Sequence, residues 1–343
     1  MDNIKVSVII PVYNGGKYVG KCLDTLLNQT LREIEIVVVN DGSTDNTDAV
    51  LSAYANEHKD KIKYISIENG GVSNARNIAL ENSTGEYITF CDCDDYVEPD
   101  MCEELYKKAV SSGAEVVVSG YFLENEKGNY TCFGLEYMEK YPHSLEERPD
   151  ILYVSNPFVH NKLFSRSLIV GCGIKFPKYK IFEDMLFAYS LMLLANKIEK
   201  VNRPFYHYIR RKSDSVTGVL GPKFYDLFPV MVELREFYKN NSSVDFTEQL
   251  TFVAIHHAYL RFTADITMKE YKFRYHFIKD TYKFLDEFNP DWKNNFYFEF
   301  KKRTSKKYTG MVYWLYSPIE KKLKKRIKWM IKKLKRLKRK LFK

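Results

Sequence analysis

A chain of 343 residues, 45% hydrophobic and 28% charged, can bury one large core plus a small second domain, which excludes an intrinsically disordered polypeptide. Its six cysteines form no Cys-x-x-Cys pair, so a zinc framework is not expected and reduced thiols are. The net charge of +9 is uneven: 14 of the 53 Lys and Arg residues fall in 321–343 with no acid among them, which leaves 39 against all 44 acids in a mildly acidic body.

The first 120 residues alternate two periods. Residues 6–10 form a β-branched run, and 17–29 carry Tyr18, Cys22, Leu26 and Leu27 at helical spacing. A buried strand is expected over 35–40, then a helix over 44–57 with Ser43 as N-cap. Strands at 63–67, 87–91 and 115–119 alternate with helices at 73–82 and 100–112. Repeated βα units with continuous apolar strands predict an α/β fold, a mostly parallel sheet with helices on both faces. Residues 121–156 read as loop with short elements, 182–196 as a helix behind an acidic pair, and 198–208 as strand and turn. Helices are expected over 225–238, 247–266 and 271–288, so the domains predicted are 1–218, 219–313 and a terminal helix in 314–343. The apolar N-terminal run is broken by Pro11 and preceded by Asp2, so no secretory leader is expected. The longest apolar stretch, 185–195, is too short to span a bilayer.

Polar motifs sit where strands end. Pro11-Val12-Tyr13-Asn14 closes the first strand, and Asp41-Gly42-Ser43 the second. Asn69-Gly70-Gly71 closes the third and leads into Ala75-Arg76-Asn77; Asp92-Cys93-Asp94-Asp95 closes the fourth. In a parallel sheet these carboxyl ends share one edge, where ligands bind. Two carboxylates two residues apart on such a loop can face one hard divalent cation, Mg²⁺ or Mn²⁺, with positions left for phosphate.

As a set these residues resemble the inverting glycosyltransferases of family 2, which have the GT-A fold, and are nearest the bacterial enzymes that build capsules, exopolysaccharides and teichoic-acid decorations. The resemblance runs from about 6 to 217 and includes Asn161-Lys162-Leu163-Phe164, Phe182-Glu183-Asp184, and Tyr206-x-Tyr208 followed by Arg211 and Ser215. It implies a nucleotide-sugar donor, with UDP expected. Pro11, Tyr13 and Asp41 would hold the base and ribose; Asn69 joins the donor-binding set, and Arg76 would add positive charge near the diphosphate. Asp94 would bind the metal, and Asp92 the ribose or a metal-bound water. His207 is a candidate third ligand, and Arg211, with Arg210 and Lys212 as alternatives, a candidate for the diphosphate. Asp184 is the expected general base, which takes the proton of an acceptor hydroxyl on a glycan or lipid-linked acceptor.

The tail has its own pattern. Ser317-Pro318-Ile319-Glu320 reads as a capping box. Ile319, Leu323, Ile327, Met330, Ile331, Leu334, Leu337 and Leu341 then recur at helical spacing among Lys and Arg. Such a helix would extend about 36 Å. It predicts an anchor on an anionic membrane surface through 317–343, on the cytoplasmic face, and the apolar stripe argues against a nucleic-acid partner. Two other readings compete with transfer: a nucleotidyltransferase, which should show a Gly-rich, Lys-containing loop after the first strand where this chain has Gly15-Gly16-Lys17, and a non-catalytic nucleotide-binding scaffold.

Overall fold

A computed structural model of the protein describes residues 4–125, 128, 130–133, 143–211, 221–260 and 268–296. The predicted tail helix, Lys212 and Ser215 lie outside these residues. The first strand, β1 (Val6–Val12), is buried along its whole length, as expected for a Val/Ile run covered on both faces. It is followed by α1 (Val19–Leu27), whose Val19, Cys22, Leu23 and Leu26 form the buried stripe. Next come β2 (Ile34–Asp41), α2 (Thr47–Glu57), β3 (Ile62–Ile67), α3 (Val72–Glu81) and β4 (Tyr87–Phe90). These four strands are parallel in the order β3-β2-β1-β4. Their register pairs Val12 with Asn40, Asp41 with Ile67 and Ile9 with Phe90, so the four polar motifs do emerge at one edge.

The chain continues through β5 (Tyr96–Val97), α4 (Met101–Ser112), β6 (Val116–Asn125), β7 (Tyr130–Phe133) and a short α5 (Ile151–Val154). Then follow β8 (Lys162–Ser165), α6 (Arg166–Cys172), α7 (Glu183–Leu194) and β9 (Ile198–Arg210). Here the sheet turns mixed: β8 lies antiparallel between β4 and β6, β9 runs parallel to β6, and β5 pairs antiparallel with β9. The expected loop after 121 is therefore partly strand. The Asn161-Lys162-Leu163-Phe164 motif supplies the strand that joins the two halves.

Ser43 does not cap α2. Asn46 occupies that position, and Ser43 Oγ accepts the Asn14 N–H at 2.9 Å, while Asn14 Oδ1 accepts Thr44 N–H at 2.8 Å. The hydroxyl laces the loop after β2 to the loop after β1. Gly42 beside it, with φ of +66° and an added Cβ 2.7 Å from the Asn69 nitrogen, lets the loop after β3 approach as well.

Three helices follow: α8 (Leu227–Asn241), α9 (Thr247–Leu260) and α10 (Met268–Phe288). They belong to one compact unit with the sheet, which ends at Asn289; residues 290–343 form a second unit. The Tyr238 hydroxyl donates to the Tyr189 carbonyl at 2.9 Å, so α8 is tied to α7. Under α7, Phe187 stacks on Phe176 with centroids 3.9 Å apart, and Phe90 meets both edge-on. This cluster couples the end of β4 to the first turns of α7. Truncating Phe187 would cost about 3–5 kcal/mol by the usual cavity arithmetic.

Candidate active site

A cavity of about 390 Å³ opens at the shared strand edge. Pro11 and Tyr13 line it from the loop after β1, Arg76 from α3, Asp92 and Asp94 from the loop after β4, and Asp184 from α7. Six of the residues singled out by motif thus meet in one place.

Arg76 is the electrostatic centre of the wall. Its guanidinium donates to Glu183 Oε1 at 2.7 Å and to Asp92 Oδ1 at 3.0 Å, with its side chain 6% exposed. Burial works against the cation, but Asp92, Glu183 and Asp184 outweigh it and hold the guanidinium above its ordinary range. Its charge is already engaged by carboxylates, so it organises the wall. Removing one partner of so buried a pair typically costs about 3–5 kcal/mol. Glu183, seen in the sequence as one of an acidic pair at a helix start, is one arm of this bridge.

The acidic loop divides by role. Asp95 is buried, and its carboxylate accepts the Tyr206 hydroxyl at 2.7 Å and the Ile209 N–H at 2.8 Å. Tyr206 in turn accepts the Asp92 N–H at 3.0 Å. Asp95 therefore fastens the loop to β9, leaving Asp92 and Asp94 on the cavity wall. Arg211 donates to Asp94 Oδ2 at 2.6 Å and to the Asp94 carbonyl at 2.6 Å, with its guanidinium 4.3 Å from the Tyr18 ring centroid. Burial and then Asp92 push the Asp94 carboxyl up, against the pull of Arg211.

Asp184 sits at the second position of α7. The preceding Phe182 has φ of +68°, a conformation that costs a non-glycine residue on the order of 1–3 kcal/mol. The helical region holds this turn: Phe182 packs against Phe224 and His257, and Asp226 Oδ2 accepts the Lys180 N–H at 2.8 Å. Burial first, and then Glu183, push the Asp184 carboxyl up to about 7, despite the opposing pull of Arg76. A carboxylate with that value is matched to proton abstraction near neutral pH.

Three other expected residues are placed differently. Asp41 is buried, and its two carboxylate oxygens accept the N–H groups of Gly70 at 2.7 Å and Gly71 at 2.9 Å, at the start of α3. The Asn69 amide donates to the Asp41 carbonyl at 2.9 Å. Neither Asp41 nor Asn69 is part of the cavity wall described above. His207, the candidate third ligand, also lies off this wall. It stacks between Tyr96 and Phe122, with centroids 4.1 and 4.4 Å away, and its Nε2 and Nδ1 face Glu98 at 2.8 Å and Glu124 at 3.3 Å. With both ring nitrogens on carboxylates and the ring off the cavity wall, His207 is not placed as a ligand beside Asp94. Its position between two Tyr gave no hint of the cross-strand pairing with Tyr96 that holds it there.

Among the described residues no group of three or more His, Cys, Asp and Glu side chains is arranged to hold a metal ion. Asp92 and Asp94 nevertheless fit one in donor chemistry. They are hard oxygens on one wall whose mutual repulsion a cation relieves, and Mg²⁺ or Mn²⁺ is commonly held by one or two carboxylates with substrate phosphate and water.

Sequence reasoning missed the far wall. Lys162 is fully buried, and its ammonium donates to the carbonyls of Asn156 at 2.5 Å and Phe158 at 2.7 Å and to Asn161 Oδ1 at 3.0 Å. Burial lowers it to about 7. It fixes the loop carrying Pro157, Phe158, Val159 and His160, all of which line the cavity. The sequence marked this lysine only as part of the Asn161-Lys162-Leu163-Phe164 motif, with no sign that its ammonium is buried against the loop before it.

Comparison with known proteins bears on the family and the fold. The family model described as Glycosyl transferase family 2 matches residues 7–171. Glycosyltransferase GlyA of Streptococcus pneumoniae is 37% identical over 221 residues, 61% of this chain and 31% of GlyA. EpsH of Bacillus subtilis, assigned as a glycosyltransferase, is 30% identical over 269 residues, 75% of this chain and 76% of EpsH. The chain thus spans under a third of GlyA's length and about three quarters of EpsH's. The crystal structure of S. aureus TarS residues 1–349 in complex with UDP-GlcNAc superimposes with a TM-score of 0.68 at 22% identity, over 88% of this chain and 92% of that one. The fold is that of TarS, as the α/β, GT-A expectation required.

Proposed function

The chain belongs to glycosyl transferase family 2, and we propose that it is a metal-dependent inverting enzyme that moves a sugar from a UDP-sugar to a hydroxyl of a cell-surface glycan or lipid-linked acceptor. The observation that carries this reading is that Asp184 lines one cavity together with Asp92 and Asp94. The uridine nucleotide is the one bound to TarS in a shared fold.

In this reading Asp184 accepts the proton of the acceptor hydroxyl as its oxygen attacks the anomeric carbon. Attack opposite the departing diphosphate inverts that centre in one displacement. Proton abstraction by a positioned base contributes typically about 10²–10⁴-fold. Asp94 and Asp92 would hold Mg²⁺ or Mn²⁺, which when bound offsets charge on the diphosphate. Arg211, already beside Asp94, is the cation proposed for the diphosphate. Arg76 keeps Asp92 and Glu183 oriented, so the base on the next residue is held as well. Tyr13, 54% exposed at the cavity, and Pro11 offer the base an apolar seat. Asp41 keeps acceptor capacity beyond its two backbone bonds, since a carboxylate has about four lone-pair sites, and is proposed for the uracil imide or ribose. Association of 317–343 with an anionic membrane surface is proposed on the sequence pattern alone.

The test is hydrolysis of UDP-GlcNAc, UDP-glucose, UDP-galactose and GDP-mannose with Mn²⁺ and again with chelator. Metal-dependent release of nucleoside diphosphate from one of them is expected. Turnover of none, or turnover indifferent to chelator, defeats the corresponding part of the proposal.

A further inference from the structure

Tyr18 belongs to none of the strand-end motifs, yet it stands where the loop after β1 meets the acidic loop. It is half-buried at the start of α1, and its N–H donates to the Gly15 carbonyl at 2.8 Å. At Gly15 the two loops touch: an added Cβ would lie 2.8 Å from Sγ of Cys93, the residue between Asp92 and Asp94. Tyr18 and Asp94 line the same cavity.

Arg211 joins them. It lies one residue past β9, whose last pair sets Arg210 against Asn125, so the strand ladder ends before it. Its guanidinium donates to Asp94 Oδ2 and to the Asp94 carbonyl, each at 2.6 Å, and lies over the Tyr18 ring, 4.3 Å from its centroid. One planar group that holds both the carboxylate and the backbone of a single residue fixes the torsions between them. The aromatic face beneath it fixes the plane of the guanidinium in turn, through a cation–π contact. The Lys17 ammonium also approaches this ring, but at 5.2 Å and from an exposed side chain. We infer that Tyr18 is a positioning residue for the divalent cation: it seats Arg211, and Arg211 fixes the Asp94 carboxylate in the orientation that meets the ion. This rests on the metal reading above. It is compatible with Arg211 meeting the diphosphate, because a guanidinium bound twice to Asp94 still has N–H groups to donate.

The direction of the effect follows from what a substitution changes. Removing the ring leaves the charge of Arg211 in place, so its repulsion of a cation is little altered. What is lost is the restraint on Asp94, and a ligand group that must be ordered on binding binds more weakly.

The experiment measures metal binding without turnover. Mn²⁺ is titrated, with UDP present, into native protein, Tyr18→Leu and Tyr18→Phe, and free Mn²⁺ is read from its electron paramagnetic resonance signal. Tyr18→Leu is expected to weaken Mn²⁺ binding about threefold to tenfold, the range of one partly desolvated cation–π contact, and Tyr18→Phe, which keeps the ring, to stay within about twofold of native. In an Arg211→Gln background Tyr18→Leu should change Mn²⁺ affinity by less than about twofold, because a residue that acts through Arg211 has nothing left to act through. Unchanged or tighter Mn²⁺ binding in Tyr18→Leu overturns the inference. So does an equal loss in the Arg211→Gln background, which would show a ring that supports the fold or touches the nucleotide directly. If Tyr18→Leu does not fold, pentafluorophenylalanine in place of Tyr18 keeps the shape and removes the negative ring face: weakened Mn²⁺ binding supports the role, and native binding overturns it. A native protein that binds no Mn²⁺ beside UDP defeats the metal reading itself, a result distinct from Mn²⁺ binding that is indifferent to Tyr18.

Discussion

Replacing Asp184 by Asn should stabilise the protein while it disables transfer. The carboxyl is raised from 3.8 to about 7 because its charged form is desolvated and faces Glu183. At about 1.36 kcal/mol per tenfold change in proton affinity, that displacement corresponds to about 4 kcal/mol of strain in the ionised state. The sign follows from linkage. Below 3.8 the carboxyl is neutral in folded and unfolded chains alike, so its ionisation costs nothing there. Between 3.8 and about 7 the unfolded chain has given up a proton that the folded protein still holds, so stability falls as pH rises across that window and the loss is complete above about 7. Asn carries no such charge. Part of the gain is offset by burying an amide in place of a carboxyl and by losing the attraction of Arg76, so about 1–2 kcal/mol at pH 8 is expected. That is a rise in melting temperature of about 2–4 °C per kcal/mol, shrinking toward zero near pH 4.

The same substitution should lower transfer by at least about 10²-fold and remove the acid limb of the native rate profile, which should fall about tenfold per pH unit below about 7. Calorimetric titration of UDP should be little changed. Melting curves at pH 4, 6 and 8 with parallel rate measurements test both halves. An Asn variant that is less stable at pH 8, or one that loses nucleotide affinity and keeps its rate, would refute the assignment and move Asp184 to a structural or donor-binding role.

Asp94→Ala should abolish transfer with a melting temperature close to native, because Asp94 faces the cavity and its loop is fastened by Asp95; Mn²⁺ titration of hydrolysis should show no saturable rescue, and a near-native rate would remove Asp94 from the metal site. His207→Gln should lower stability by about 1–3 kcal/mol, since it breaks a stack and takes the imidazole away from Glu98 and Glu124. Its Mn²⁺ midpoint should match that of the native protein, and a midpoint raised tenfold or more would return His207 to the ligand set. Deleting 317–343 should release the protein from anionic vesicles while donor hydrolysis continues, as read by co-sedimentation; undiminished pelleting would place the anchor elsewhere.

What could be read in the sequence was whatever a strand end announces locally. Parallel register carries the loops after β1, β2 and β4 to one edge, so Pro11, Tyr13, Asp92 and Asp94 were legible as a group once the βα alternation was recognised. Asp184 was legible through the acidic pair and the family pattern. The partners were not legible. Arg76 reaches Glu183 across 107 residues of chain, and Asp95 meets Tyr206 across 111, distances at which single-sequence periodicity holds no information about pairing. His207 shows the same limit. Glu98 and Glu124 occupy both nitrogens of an imidazole that the sequence shows only as the middle residue of Tyr206-x-Tyr208, and the cross-strand pairing with Tyr96 that holds it there leaves no local mark in the chain.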